Sequence, residues 1–391
     1  MKIVHICATS NFFNPNLGYQ DNLLSKYHSK LGHAVTIIAP TYDHVDGDTG
    51  KIVEVTASET IINNNIKLVR IKPVLPISVN QHVHLCCGVK KALKKDKPEF
   101  IFVHGIASPN YRMLANYKRN HPDVQMVFDS HADLVNSCHN SWSKLFTKVC
   151  GCWWVMQRVK AAANYFYGVT PARCDFLKKM YGAPHKKVRL LPMGADDEEM
   201  RFDHRDKMRR EVRQRYGIAN DDFLIVTGGK IDWLKNIHTL AEAVAGMGSK
   251  HIKLLVFGSI RDELKPVFDR LCSDRVQLVG WVNSSEVYRY FYAADLVCFP
   301  GLHSVLWEQA AASQVPLAVS RIDGFEHVDF GGNCLFLEQK DADYYRHTIE
   351  LLATDKSRYD DMLLKARGDG SKSFLYSHIA KQVIDDSFPN S

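Results

Sequence analysis

Gly228-Gly229-Lys230 followed by Lys235 is the arrangement in this sequence best suited to holding an anion. Two glycines leaving an apolar strand let a ligand come close to the backbone. Two cations near a helix start neutralise a diphosphate, and helix N-terminal amides add donors. A departing diphosphate gains charge in the transition state, so this pair would stabilise it without a metal. Two surface lysines at a helix entrance would read the same way. A second cluster is Pro300-Gly-Leu-His303-Ser304, running through Val305 and Leu306 to Glu308. Glu308 falls in a first helical turn, where the dipole alone favours an acid. In the first half, His104 and Asp129-Ser-His131 each close an apolar strand. Open α/β sheets bind ligands at such strand ends, although a polar strand cap is the plain alternative. Gly18 sits in the loop after the first strand, where a glycine lets the chain pass beneath a ligand or simply turns it.

The elements that must position these groups repeat one unit. Lys2–Ala8 reads as a buried strand, a glycine-containing loop leads to a helix with Leu23, Leu24, Tyr27 and Leu31 on one face, and Ala34–Ala39 is a second strand. Strand, loop, helix, strand is the building block of a doubly wound parallel sheet. Strands follow at Lys67–Ile71, Phe100–Val103, Gln125–Asp129, Tyr165–Val169 and Val188–Pro192. The polar, acidic stretch Met193–Asp206 reads as a linker. The pattern restarts with strands at Phe223–Thr227, Lys253–Phe257, Val276–Leu278 and Leu296–Phe299, a turn at Gly228–Lys230, and a helix over Asn236–Met247. The expectation is therefore two α/β domains, 1–192 and 193–370, with a helical tail at about 371–391.

With 391 residues, 46% apolar and 24% charged, the chain has material for two ordinary cores. The net charge of +7 fits an anionic substrate and is too diffuse for nucleic acid. The lysine run Lys90, Lys91, Lys94, Lys95 and Lys97 reads as a solvated helix face. Ten cysteines without a CxxC pair, several in apolar runs, read as free buried thiols of a reducing cytosol, and Cys150-Gly-Cys152 alone makes no metal site. No window approaches a membrane span. Between Trp142 and Ala163 apolar and basic residues recur at helical spacing, which fits packing on the sheet or, as a basic amphipathic helix, docking on a membrane. Asp46-Gly-Asp48 falls in a polar loop and reads as turn chemistry. The N-terminal strand lacks a full GxGxxG, which weakens a dehydrogenase reading.

Four segments together carry a resemblance: LGYQDNLLSKYHSKLGHAVTIIAP, LKKDKPEFIFVHG, GGKIDWLKNIHTLAEAV and YFYAADLVCFPGLHSVLWEQAAASQVP. In this order they make the chain resemble family 4 of the retaining glycosyltransferases, across nearly its whole length. The resemblance implies a GT-B fold of two facing Rossmann-like domains, with the acceptor on the first and the nucleotide on the second. It also implies a last helix that packs back on the first domain. The donor would be a nucleotide-sugar, UDP- or GDP-linked, and the acceptor a saccharide or lipid-linked saccharide, as in bacterial surface polysaccharide synthesis. No metal or other cofactor is implied, and the expected location is the cytoplasm, with peripheral membrane contact left open.

By the same resemblance, His131, Lys230 and Lys235 form the catalytic set, with His131 beside the donor sugar and the lysines on the diphosphate. Glu308 would accept the ribose hydroxyls, since a carboxylate offers paired acceptors to a vicinal diol. Gly18, Gly229 and His303 would line the donor, Ser304 would cap the helix with the amides of Val305 and Leu306 on the phosphate, and His104 would serve the acceptor side. The sequence departs from the family at two points. Lys230 stands where arginine is usual, giving a point charge without the bidentate fork. Pro300 stands where a second glutamate is usual, eight residues before Glu308. A sugar-nucleotide epimerase on the same fold and a non-catalytic binding homologue remain as rival readings.

Overall fold

The computed structural model describes residues 1–7, 13–15, 18–44, 52–63, 65–74, 85–106, 110–133, 142, 145, 149 and 154–389. The chain forms two compact units, Met1–Pro192 with Ile379–Ser391, and Met193–His378.

The first unit is built on β1 (Lys2–Ile6), β2 (Ala34–Pro40), β5 (Glu59–Ile62), β6 (Ile66–Ile71), β7 (Phe100–Val103), β8 (Gln125–Ser130), β9 (Tyr165–Gly168) and β10 (Val188–Leu190). Between β2 and β5 a separate antiparallel pair is formed by β3 (Tyr42–His44) and β4 (Ile52–Glu54). The eight-stranded sheet runs β10-β9-β8-β7-β1-β2-β6-β5, parallel throughout except for the antiparallel β5–β6 edge. Its central strands are near-continuous apolar runs because helices cover both faces. Ile101, Val103, Met126 and Phe128 meet Val89, Leu93, Leu114 and Val159 in one buried cluster. Local sequence sets the helix starts: Thr170 caps the helix Pro171–Lys179 by accepting from the Arg173 amide, with proline in the first turn. The lysines of the Val89–Asp96 helix face solvent while Val89 and Leu93 are buried.

The second unit carries β11 (Phe223–Ile231), β12 (Ile252–Ile260), β13 (Val276–Gly280), β14 (Leu296–Phe299), β15 (Leu317–Ser320) and β16 (Cys334–Leu337). All are parallel, in the order β13-β12-β11-β14-β15-β16. That is the doubly wound order, with its reversal between β11 and β14. Asp341 and Asp355 cap the helices Ala342–Thr354 and Lys356–Ala366 by accepting from the Tyr344 and Arg358 amides. The helix Tyr376–Ser387 begins in this unit, and from Ile379 the chain belongs to the first.

Several expectations are corrected. Gly228–Lys230 is not a turn, because β11 continues to Ile231 with Gly228, Gly229 and Lys230 paired to Phe257, Gly258 and Ser259. Met193–Asp206 is not a free linker. Ala195 bridges Leu375, the Asp196 amide bonds to the Tyr288 hydroxyl, and Met200 is buried. The short strands β3, β4, β5, β15 and β16 were not foreseen. Of the described residues in the stripe from Trp142, Met156 and Val159 are buried, whereas Trp142, Leu145 and Val149 are exposed. Asp46, Asp48, Cys138, Cys150 and Cys152 lie outside the described residues. Among those described, Cys7, Cys86, Cys174 and Cys298 are buried free thiols, and no helix is long and apolar enough to cross a membrane.

The extension of β11 depends on a glycine pair. Gly258 has φ +115°, and a Cβ there would lie 1.9 Å from the Gly229 carbonyl oxygen. Gly258→Ala is therefore expected to cost about 3 kcal/mol through backbone strain and overlap. Gly248, where a Cβ would meet nothing within 4 Å, should tolerate alanine. Urea denaturation of the two variants side by side measures the contrast.

Candidate active site

The second unit's candidate residues sit on the two loops that flank the β11/β14 reversal. Lys230 lies near the end of β11, exposed and without a side-chain partner among the described residues. Gly229 has φ +109°, and a Cβ there would stand 2.9 Å from Leu306 Cδ1, so glycine is what lets β11 approach the β14 loop. Gly301 does the same from the other side, since its Cβ would fall 2.3 Å from the Lys235 carbonyl carbon. The turn Trp233–Lys235 is fixed by Asp232, which accepts from the Leu234 and Lys235 amides. Lys235 Nζ then donates to the Leu302 and His303 carbonyls at 2.7 and 3.0 Å, tying the two loops together. Burial pushes its ammonium below the ordinary lysine value. Two of its three N–H groups are used in this way, which leaves one for a ligand.

Glu308 follows in the helix Leu306–Ala312 and is fully buried. Its Oε1 accepts from His303 Nε2 at 2.8 Å and from His327 Nε2 at 2.9 Å. Although burial opposes the charge, the two imidazoles hold this carboxyl well below the usual carboxylate range. Oε2 is buried and has no hydrogen-bond partner among the described residues. Sequence reasoning missed His327, which arrives from the turn Glu326–Val328 with no local pattern marking it. Ser304 does not cap the helix. The N-cap is Val305, in a helical conformation and with no side-chain cap hydrogen bond. His303, Glu308 and His327 are also one of two described sets whose ligand atoms lie close enough together to hold a metal, the other being Asp221, Asp222 and His251.

In the first unit the order reverses between β7 and β1. Gly18, in the loop after β1, is exposed. His104 directly follows β7, and its Nδ1 lies 3.1 Å from Asp129 Oδ2 at the end of β8. The Gly105 amide donates to Asp129 Oδ1 at 2.6 Å, and His131 Nε2 stands 3.7 Å from Oδ2, on a side chain 40% exposed. Behind His104 lie two histidines that the sequence reading passed over. His5 Nδ1 is 3.0 Å from His104 Nε2, and His5 Nε2 is 3.0 Å from His28 Nδ1. The available signal was His5, a titratable residue inside the apolar run of β1. Burial drives His5 well below the ordinary histidine value and His28 down to about 3, so both are neutral at working pH. Burial opposes the charge on Asp129, but the hydrogen bond from His104 and the neighbouring His131 hold it well below the usual carboxylate range.

The two sheets with ligand-ready loops at their reversal points match known enzymes half by half. Residues 23–199 match the family described as Glycosyltransferase Family 4, and residues 222–355 match Glycosyl transferases group 1. An uncharacterized glycosyltransferase of Methanocaldococcus jannaschii is 22% identical over 214 residues, covering 53% of this chain and 55% of the relative. A lipopolysaccharide core biosynthesis glycosyltransferase of Rhizobium meliloti is 25% identical over 182 residues, 45% of this chain and 51% of the relative. The chain thus spans about half the length of these curated relatives. In fold, it is similar to Anabaena HepE solved with UDP, with TM-score 0.69 and 16% identity over 98% of this chain and 99% of that one. Fold and domain matches give a GT-B fold, with a first domain similar to Glycosyltransferase Family 4 and a second similar to Glycosyl transferases group 1.

The buried neutral histidines give the first unit a pH signature. A histidine whose folded value is lowered stabilises fully above the ordinary value of 6.5, and loses that contribution as pH falls from there towards about 3. Between these limits the unfolded chain binds a proton that the folded chain does not. Stability should therefore fall with pH by up to about 1.4 kcal/mol per unit for each histidine. Urea denaturation between pH 6.5 and 4.5 should show this slope reduced by about that amount in His28→Gln.

Proposed function

We propose that the chain transfers a sugar from a nucleotide-sugar, with a UDP-sugar the first choice, to a saccharide or lipid-linked saccharide acceptor with retention of anomeric configuration. The observation that carries this reading is the convergence of Lys230, Lys235, Gly229 and the 300–308 loop on the strand-order reversal of the second sheet, where doubly wound folds bind nucleotides. HepE, which has this fold, was solved with UDP, and the Rhizobium relative works in lipopolysaccharide core synthesis; both support the choice of donor and acceptor.

In this reading Lys230 and the remaining N–H of Lys235 take the diphosphate, and their charge stabilises it as it leaves. The glycosidic carbon's bond to the diphosphate oxygen breaks. The acceptor hydroxyl oxygen bonds that carbon on the same face, and its proton passes to the departing diphosphate. No protein nucleophile is needed, and the protein supplies charge and orientation. Glu308 Oε2, buried and unpartnered, is the acceptor that a ribose hydroxyl would satisfy. His131 stands at the donor sugar, with His104 towards the acceptor. Gly18, His303, Ser304, Val305 and Leu306 complete the donor contacts. The lysines supply the charge that a metal otherwise would, so the reaction is metal-independent. Catalysis takes place on the cytoplasmic side, with any membrane contact peripheral.

The test is a thermal-shift panel of UDP-, GDP-, ADP- and dTDP-sugars on wild type, Lys230→Ala and Glu308→Ala, followed by transfer assays with and without EDTA. A donor at a hundred times its Kd should add about 2.7 kcal/mol to wild type. The shift should be clearly smaller in both variants, and turnover should be unaffected by EDTA. Loss of turnover in EDTA would assign His303, Glu308 and His327 to a metal instead. If no sugar nucleotide shifts the wild type, the non-catalytic reading takes over.

A further inference from the structure

His28, His5, His104 and Asp129 form an unbroken hydrogen-bonded row inside the first unit, and one end of it has no choice of polarity. His28 Nε2 lies 3.1 Å from the backbone carbonyl oxygen of Ala380, in the C-terminal segment of the same unit. A carbonyl can only accept, so His28 carries its proton on Nε2. His28 is neutral, so its Nδ1 presents a lone pair to His5 Nε2 at 3.0 Å, and His5 must donate there. His5 is neutral as well, and its own Nδ1 must then accept from His104 Nε2, also at 3.0 Å. The proton on His104 Nε2 is thereby committed. His104 Nδ1 nevertheless faces Asp129 Oδ2 at 3.1 Å in a buried setting. Without a proton there, two lone pairs would confront each other with no water to separate them. Asp129 accepts the Gly105 amide on Oδ1 and is held well below the usual carboxylate range, so the proton between Oδ2 and Nδ1 belongs to the ring.

We propose that the Ala380 carbonyl, acting through His28 and His5, fixes His104 as an imidazolium in a permanent ion pair with Asp129, and that this pair is the positioning device for His131. Asp129 gains a bond on each oxygen and cannot rotate. His131 Nε2, 3.7 Å from Oδ2, is thus set against an anchored carboxylate whose charge is already balanced. The other groups facing the pair are Asp21, from the helix Gln20–Lys30, and Cys7, at the end of β1. Both are buried, and burial pushes both towards their uncharged forms. The protonation order is independent of the transferase reading; its consequence for His131 rests on that reading.

The experiment is 15N NMR of the histidine rings in the full chain at pH 7.5, with His104 assigned from the spectrum of His104→Gln. The expected pattern is His104 protonated on both nitrogens, with His5 and His28 neutral and protonated on Nε2. In His28→Phe the anchor is lost, so His5 is free to reverse and His104 should change to a neutral ring protonated on Nδ1. That response, two rings from the substitution, is one that a purely structural role would not produce. Turnover in the same variant should fall at least five-fold, with UDP-induced thermal stabilisation kept. A neutral His104 in the wild type, in either tautomer, overturns the proposal, as does an unchanged His104 signature in folded His28→Phe. If His28→Phe does not fold, the wild-type pattern alone decides. If UDP gives no stabilisation while the ring pattern is as expected, the transferase reading fails and the imidazolium assignment stands.

Discussion

A carboxylate buried at the end of a parallel sheet must be answered by donors, and in both units of this protein the answer is imidazole. Asp129 receives His104, the Gly105 amide and the approach of His131, while Glu308 receives His303 and His327 on a single oxygen. Each removal of such an anion from water costs several kcal/mol, recovered only with good geometry. The backbone of the second unit's site loops is accordingly over-determined. Gly229, Gly258 and Gly301 admit main-chain approaches that any side chain would block, and Lys235 pins the β14 loop by two carbonyls. Imidazole suits this task better than lysine or arginine would. It can donate to the anion either as a neutral ring or as a cation, so each cluster can match its charge to the carboxylate it answers.

The strand order then decides where these clusters fall. A doubly wound sheet opens a crevice only where the direction of winding reverses, because there the crossover helices diverge to opposite faces. In the second unit the reversal lies between β11 and β14, which places Lys230 and the 300–308 loop on its two sides. In the first it lies between β7 and β1, and His5 and His104 come from those two strands, with Asp129 on the next. The chemistry-bearing residues of each unit are therefore gathered by topology from distant parts of the chain.

Much of this was legible beforehand. The long central strands declared themselves as apolar runs bounded by glycine and proline, and the restart at Phe223 marked the second sheet. Lys230, His104 and Asp129 were visible because strand ends can be read from sequence, and Lys235 and Glu308 because they fall in the segments that follow β11 and β14. What was hidden is equally physical. β5 is an edge strand whose side chains are mostly exposed, so no apolar run marks it. β11 runs on past Gly228 because Gly258 lies opposite Gly229, a pairing that no local pattern announces. His327 and His28 reach their partners through tertiary contacts alone, and His5 looked like one polar interruption in an apolar strand.

The two departures from the family pattern fit the same physics. With Pro300 in place of a glutamate, the Pro300 carbonyl accepts from the Tyr345 hydroxyl, and Gly301 brings the loop against the backbone of Leu234 and Lys235. The loop is thereby drawn down, and the Leu302 and His303 carbonyls meet the ammonium of Lys235. A second carboxylate here would add to the desolvated negative charge of Glu308 in a region where the available donors are already committed to backbone carbonyls and to Glu308. Its absence removes that conflict. Lys230 fits the same frame. A guanidinium gains its advantage from a fixed fork that matches a fixed acceptor, whereas a point charge on a flexible stem tolerates a ligand whose position is set by other contacts. In the proposed donor site those contacts come from the packed backbone of the 300–308 loop, so the loop is its rigid side and the cation its adaptable side.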